Sequence, residues 1–254
     1  MLLVALMLGV ATLSARQIGD RYQGSAPALE GKIYVLICFV SETEWDENEM
    51  ADYCGLIFEA EDWLVSQAKN YGKEVSFKNA YRGFSKPLKL KDIGGFESDD
   101  MLVDRISRVI KKTEYRTGLG FVNWVKHNTD CTGCMLLAVA NQPGRSYSMA
   151  YNDIYDREKF FLEGSMLYTS FESGKPACAA SIAHEMCHLF GAEDLYETGQ
   201  QSAENEQRAR ELFPDDIMLS TSYDINKRKI DRFTAWLVGL TDEMEIWYPT
   251  LMYK

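Results

Sequence analysis

Apolar positions along the chain fall into blocks of two different periods. Lys32–Val40, KIYVLICFV, is a continuous β-branched and aromatic run, the pattern of a strand buried on both faces. Met50, Cys54, Ile57, Ala60, Leu64 and Ala68 then recur at three- and four-residue spacing. That spacing predicts an amphipathic helix ending near Gly72. Glu74–Ala80, EVSFKNA, alternates as a second strand does. An opening of strand, helix and strand favours parallel neighbours joined by a right-handed crossover.

Leu102, Ile106 and Val109 mark another helix, with Ser98 and Asp99 as candidate caps. MLLAVANQ from Met135 reads as a third strand stopped by Pro143 and Gly144, and Arg145–Asn152, RSYSMAYN, as a more polar edge strand. FFLEGSMLYTS is a further extended segment with Gly164 inside it. A helix is expected from near Pro176, a residue suited to a first helical turn. Glu197–Glu211 is a polar, glutamate-rich insertion, a surface helix or loop. FPDDIMLSTSYD is a tight-turn sequence enclosing the apolar pair Ile217 and Met218. Ile230, Phe233, Leu237 and Leu240 define a C-terminal amphipathic helix. No internal repeat or low-complexity tract interrupts this order.

The first fifteen residues, MLLVALMLGVATLSA, are apolar but short for a membrane-spanning helix. Small residues at Ala11, Ser14 and Ala15 suit signal cleavage, although no positive n-region precedes the run. The expectation is export, as a cleaved signal or a short anchor, with residues 16–31 as a linker and 32–254 as the folded part. A net charge of −11 disfavours nucleic-acid backbones, whose phosphates the summed field repels. Six cysteines permit disulfides in an exported protein without requiring them. CTGC, Cys131–Cys134, lacks a second CxxC to complete a zinc site and leads into an apolar run rather than a helix. Buried thiols or one local disulfide are the expectation there.

The chemistry is concentrated in SIAHEMCHLFGAED, Ser181–Asp194, which holds two of the three histidines. Residues four apart share a helix face, so the imidazoles of His184 and His188 converge on one point, and neutral imidazole suits a borderline cation such as zinc. Glu185 lies about 100 degrees round the helix, close to such an ion but off its ligand positions, where a general base would act on water. Two histidines hold zinc weakly. Gly191 can end the helix in a left-handed conformation and turn the chain back, and Asp194 then offers a carboxylate as third ligand, with water as the fourth.

HEMCHLFGAED resembles the extended zinc signature of the metzincin metallopeptidases, with aspartate where most members have a third histidine. The resemblance is strong over Ser181–Asp194, modest at Met218, and only architectural before that. It implies His184, His188 and Asp194 as zinc ligands, Glu185 as base, Gly191 as turn residue and Met218 as the methionine of a turn beneath the metal. It implies an α/β fold: a twisted mixed sheet with an antiparallel edge strand, two or three helices including the metal-binding one, and a smaller, mainly helical C-terminal part. The two parts would be residues 32–192 and 193–254. The implied activity is zinc-dependent hydrolysis of peptide bonds, the substrate lying extended along the edge strand around Gly144–Ser148. Ser220 stands where some members carry a tyrosine, and Tyr223 is a weak substitute for oxyanion support. No propeptide cysteine switch is recognisable.

Two rivals differ in what they require. A gluzincin-type site would take its third ligand from Glu204, Glu206 or Glu211. A catalytically silent surface-binding domain would keep the motif as scaffold only. His127 reads as a surface or capping histidine and Cys187 as a packed thiol.

Overall fold

The computed structural model describes residues 24–94, 99–149 and 162–252. The apolar leader, Ser98 and the far end of the RSYSMAYN segment lie outside them. The elements run β1 (Gly31–Ser41), α1 (Glu47–Asn70), β2 (Val75–Arg82), β3 (Leu88–Lys89), α2 (Asp99–Lys111) and α3 (Gly118–Asn128). They continue with β4 (Gly133–Pro143), β5 (Tyr147–Met149), β6 (Gly164–Ser170), α4 (Ala179–Leu189), α5 (Ala203–Leu212) and α6 (Arg232–Leu237). Six strands form one sheet in the order β2-β1-β4-β6-β5, with β3 also pairing β1. All pairings are parallel except β5 with β6, the antiparallel edge. This is an α/β architecture with six helices among the described residues, more than the two or three expected.

The unbroken apolar run of β1 follows from burial on both sides. Ile33, Val35, Ile37 and Phe39 face one core, packed with α1, α4 and the C-terminal segment. Tyr34, Leu36, Cys38 and Val40 face a second, packed with α2 and α3. Successive strand residues point to opposite faces, so only a continuous run fills both layers. Gly164 on β6 lets α2 approach the sheet closely: a Cβ there would meet the Ile106 side chain of α2 at 2.9 Å. Asp46 caps α1, its side chain accepting from Asn48 N–H at 2.7 Å.

Several boundaries differ from the sequence reading. Residues 24–30, read as part of a linker, pack inward: Ala26 and Leu29 are buried, and Ala26 N–H donates to the buried Glu163 at 2.8 Å. Pro176 makes an isolated bridge with Ser170, and α4 starts three residues later, behind Cys178. The C-terminal helix is short because Gly239 (φ 77°) turns the chain, so Leu240 packs from beyond it. All six cysteines are free thiols, with no bridge across Cys131 and Cys134.

Candidate metal centre

Helix α4 lies against the sheet on the α1 side and is buried along nearly its whole length. Ser181 anchors its start, its hydroxyl donating to Cys178 O at 2.7 Å and accepting from Cys178 N–H at 3.2 Å. One turn separates His184 from His188, and their rings stand nearly perpendicular, centroids 4.8 Å apart. Gly191 ends the helix at φ 97°, which lets Ala192 N–H reach back to Cys187 O at 3.1 Å. That reversal brings in Asp194: its Oδ1 lies 3.2 Å from His184 Nε2 and 3.2 Å from His188 Nε2.

Each imidazole is fixed from behind. His184 Nδ1–H donates to Ile217 O at 3.0 Å and His188 Nδ1–H to Ala192 O at 2.9 Å. With both Nδ1 atoms donating, both Nε2 atoms present lone pairs inward whenever the rings are neutral. The turn after Gly191 therefore does two jobs, delivering Asp194 and orienting His188. Ligand atoms of His184, His188 and Asp194 all lie within 4.8 Å of one another, and together they can hold a metal ion. Two imidazole nitrogens and one carboxylate oxygen suit a borderline divalent cation such as zinc, with a fourth position left over. Electrostatics point the same way. Burial would lower the His188 pKa, but Asp194 and Glu185 outweigh it and push it up to about 9. Burial works against ionisation of Asp194 as well, yet the two rings hold its pKa well below the usual carboxylate range.

The second wall is the turn around Met218. Asp216, fully buried, accepts from Met218 N–H and Asp231 N–H, each at 2.8 Å, which shapes the turn that offers Ile217 O to His184. Met218 O in turn accepts from Leu195 N–H at 3.0 Å, tying this turn to the residue after Asp194. Met218 is completely buried.

Glu185 is buried beside the ligands, and its Oε2 accepts from Ser148 Oγ at 2.7 Å. Ser148 lies on β5 opposite Ser165 of β6, their hydroxyls 2.6 Å apart. With its own proton committed to Glu185, Ser148 accepts from Ser165. This relay from sheet edge to glutamate is invisible in the motif. Tyr196 was also missed: its ring stacks on His184 at 6.2 Å, and its hydroxyl accepts from Arg145 at 3.4 Å.

The other sequence candidates lie apart from this group. His127 is exposed on α3, donating to Asn123 O at 2.6 Å. Tyr223 is 61% exposed and donates to Pro176 O at 2.9 Å. Glu204, Glu206 and Glu211 fall on α5 outside the three-residue ligand group, with Glu206 held by Arg210 and by Glu197 N–H. Cys187 is a fully buried thiol whose pKa burial raises. No protein-family model and no curated protein matches the chain.

Proposed function

We propose that this chain is a zinc-dependent metalloendopeptidase of metzincin type, with His184, His188 and Asp194 as ligands and Glu185 as general base. One observation carries the reading: two inward-facing Nε2 atoms and a carboxylate oxygen within 4.8 Å of one another, beside a glutamate bonded to the sheet edge. A bound zinc ion supplies Lewis acidity, polarising an attacking water and the scissile carbonyl. Glu185, its Oε2 occupied by Ser148, takes the proton of the attacking water at Oε1 and delivers it to the leaving amine nitrogen. Ser148 and Ser165 keep the carboxylate aimed while it does so. Among the described residues β5 ends the sheet order, and an extended peptide would pair with its outer edge, with Ser148 on that same strand. Arg145 and Tyr196 flank the site with donors for the peptide's carbonyl oxygens.

The apolar leader makes export, by cleaved signal or anchor, part of the same reading. Among the described residues no helix is long and apolar enough to cross a membrane.

The test is metal analysis beside cleavage of casein. The wild type should hold one zinc per chain and lose cleavage to a chelator. Glu185→Gln should keep the zinc and lose cleavage, and Asp194→Ala should lose both. Zinc retained in Asp194→Ala but lost in a variant of Glu204, Glu206 or Glu211 would establish the gluzincin arrangement instead. A metal-free wild type without cleavage would establish a binding domain.

A further inference from the structure

An open hollow of about 1190 Å³ lies between β3 with its flanks and the C-terminal end of α2. Its charge runs against that of the chain. Lys86, Lys89 and Lys91 line one side. Arg108, Lys111 and Lys112 line the other, with Arg116 just beyond the helix. Against these seven cations stand two carboxylates, Glu42 and Asp92, a local balance of +5 in a protein of −11.

The bland account is a solvated helix end. Cations in the last turn of α2 complement its dipole, which accounts for Arg108 and Lys111. It does not account for three lysines brought to the same hollow by a separate segment. Nor are the lysines neutralised by ion pairs among the described residues. The lysines that form ion pairs among the described residues, Lys32, Lys73 and Lys229, lie elsewhere, and the five in the hollow have no such partner. Of the arginines, Arg108 pairs with Asp104 of its own helix at 3.4 Å and also donates to Lys91 O, and Arg116 donates to Lys111 O at 3.4 Å. Among the described residues, the non-glycine positions with positive φ are Ser85, Asp92 and Arg116, at 67°, 55° and 66°. Asp92 and Arg116 line the hollow and Ser85 adjoins it. Backbone of this kind persists where the surroundings over-determine it, and it clusters at ligand clamps.

We propose that this hollow binds a compact polyanion, a small molecule bearing several phosphate or sulfate groups. Lysine ammonium groups on two facing walls suit oxyanions approached from several sides. Concavity selects the compact ligand, because an extended nucleic acid or an anionic bilayer would reach beyond the hollow and meet the field of a chain whose net charge is −11. The proposal stands apart from the metal centre and does not depend on the peptidase reading.

Titration calorimetry of the full chain with inositol hexakisphosphate, at about 0.15 M salt, should give saturable one-to-one binding that weakens as salt rises. The double variants Lys89→Glu/Lys91→Glu and Lys111→Glu/Lys112→Glu should each weaken it about tenfold or more. Lys69→Glu/Lys126→Glu changes the net charge equally at exposed positions outside the hollow and should leave binding within about twofold. Asp194→Ala should leave it unchanged, separating the hollow from phosphate capture at the metal centre. Tighter binding of a heparin-derived hexasaccharide than of the inositol phosphate would support the site and assign it to sulfate, and the reverse order would assign it to phosphate. Absence of binding, equal weakening by the Lys69/Lys126 pair, or preference for an oligonucleotide or phosphatidylserine vesicles would overturn the proposal.

Discussion

Glu61 lies on α1 with only 6% of its surface exposed, and replacing it by glutamine should stabilise the protein in a pH-dependent way. Asn79 Nδ2 donates to its Oε2 at 2.8 Å, while Glu61 Oε1 and Asn79 Oδ1 are buried without partners. Burial, partly opposed by Asn79 and reinforced by Asp62, pushes the carboxyl up to about 7 from an ordinary 4.5. Between those two values the folded chain keeps a proton that the unfolded chain has released. Stability therefore falls as pH rises through that window and stays reduced above it. A shift of roughly 2.5 units at 1.36 kcal/mol each makes the full loss about 3 kcal/mol, an upper figure because the unfolded state also has structure. Glu61→Gln retains an acceptor for the Asn79 amide and has no charge to desolvate. Urea unfolding of both proteins across pH 5 to 8 is the assay, since titrations common to the two cancel in the difference. The variant should gain up to about 3 kcal/mol at the alkaline end, with the gap closing toward pH 5. A gap independent of pH, or a wild type more stable at pH 8, would refute the reasoning.

Other expectations concern the metal centre. Gly191→Ala puts a Cβ at φ 97°, 3.4 Å from Leu237 O, and should cost about 1–3 kcal/mol in thermal unfolding together with weaker zinc retention. Asp216→Ala removes the acceptor of two backbone N–H groups and loosens the turn that presents Ile217 O to His184; zinc affinity measured by chelator competition should fall about 10–100-fold. A variant with unchanged affinity would show that His184 is oriented without that turn. Ser148→Ala should retain zinc and lower kcat for casein by about tenfold with little change in KM, because it frees Glu185 without touching a ligand. Loss of zinc from this variant would mean that Ser148 supports the metal pocket itself.

Legibility in the sequence followed contact range. His184, His188 and Asp194 fall within eleven residues, and one helix period plus one glycine turn determines their convergence. β1 and α1 were legible because a run buried on both faces and a three-four spacing are local signatures. Helix α3 was not. It begins with Gly118 and Gly120, poor helix formers, and depends on Thr117 Oγ1 capping Gly120 N–H at 2.9 Å. It depends too on tertiary packing: Tyr34 of β1 meets Phe121 and Trp124 at 5.9 and 5.7 Å. No local period encodes that partnership.

The same reasoning explains why a glutamate could be recognised in the motif while the group that aims it could not. Ser148 and Glu185 are 37 residues apart, and their contact requires two things at once. β5 must pair with β6 in the register that sets Ser148 opposite Ser165, and α4 must pack across that edge. A one-residue slip of β5 would turn Ser148 to the opposite face and remove the hydroxyl from Glu185. Sheet register is thus part of the site, and it ties the orientation of Glu185 to the strand proposed to bind the peptide. Pairing of a peptide with β5 would steady Ser148 and, through it, the glutamate, so substrate binding and base orientation would be coupled at one strand edge.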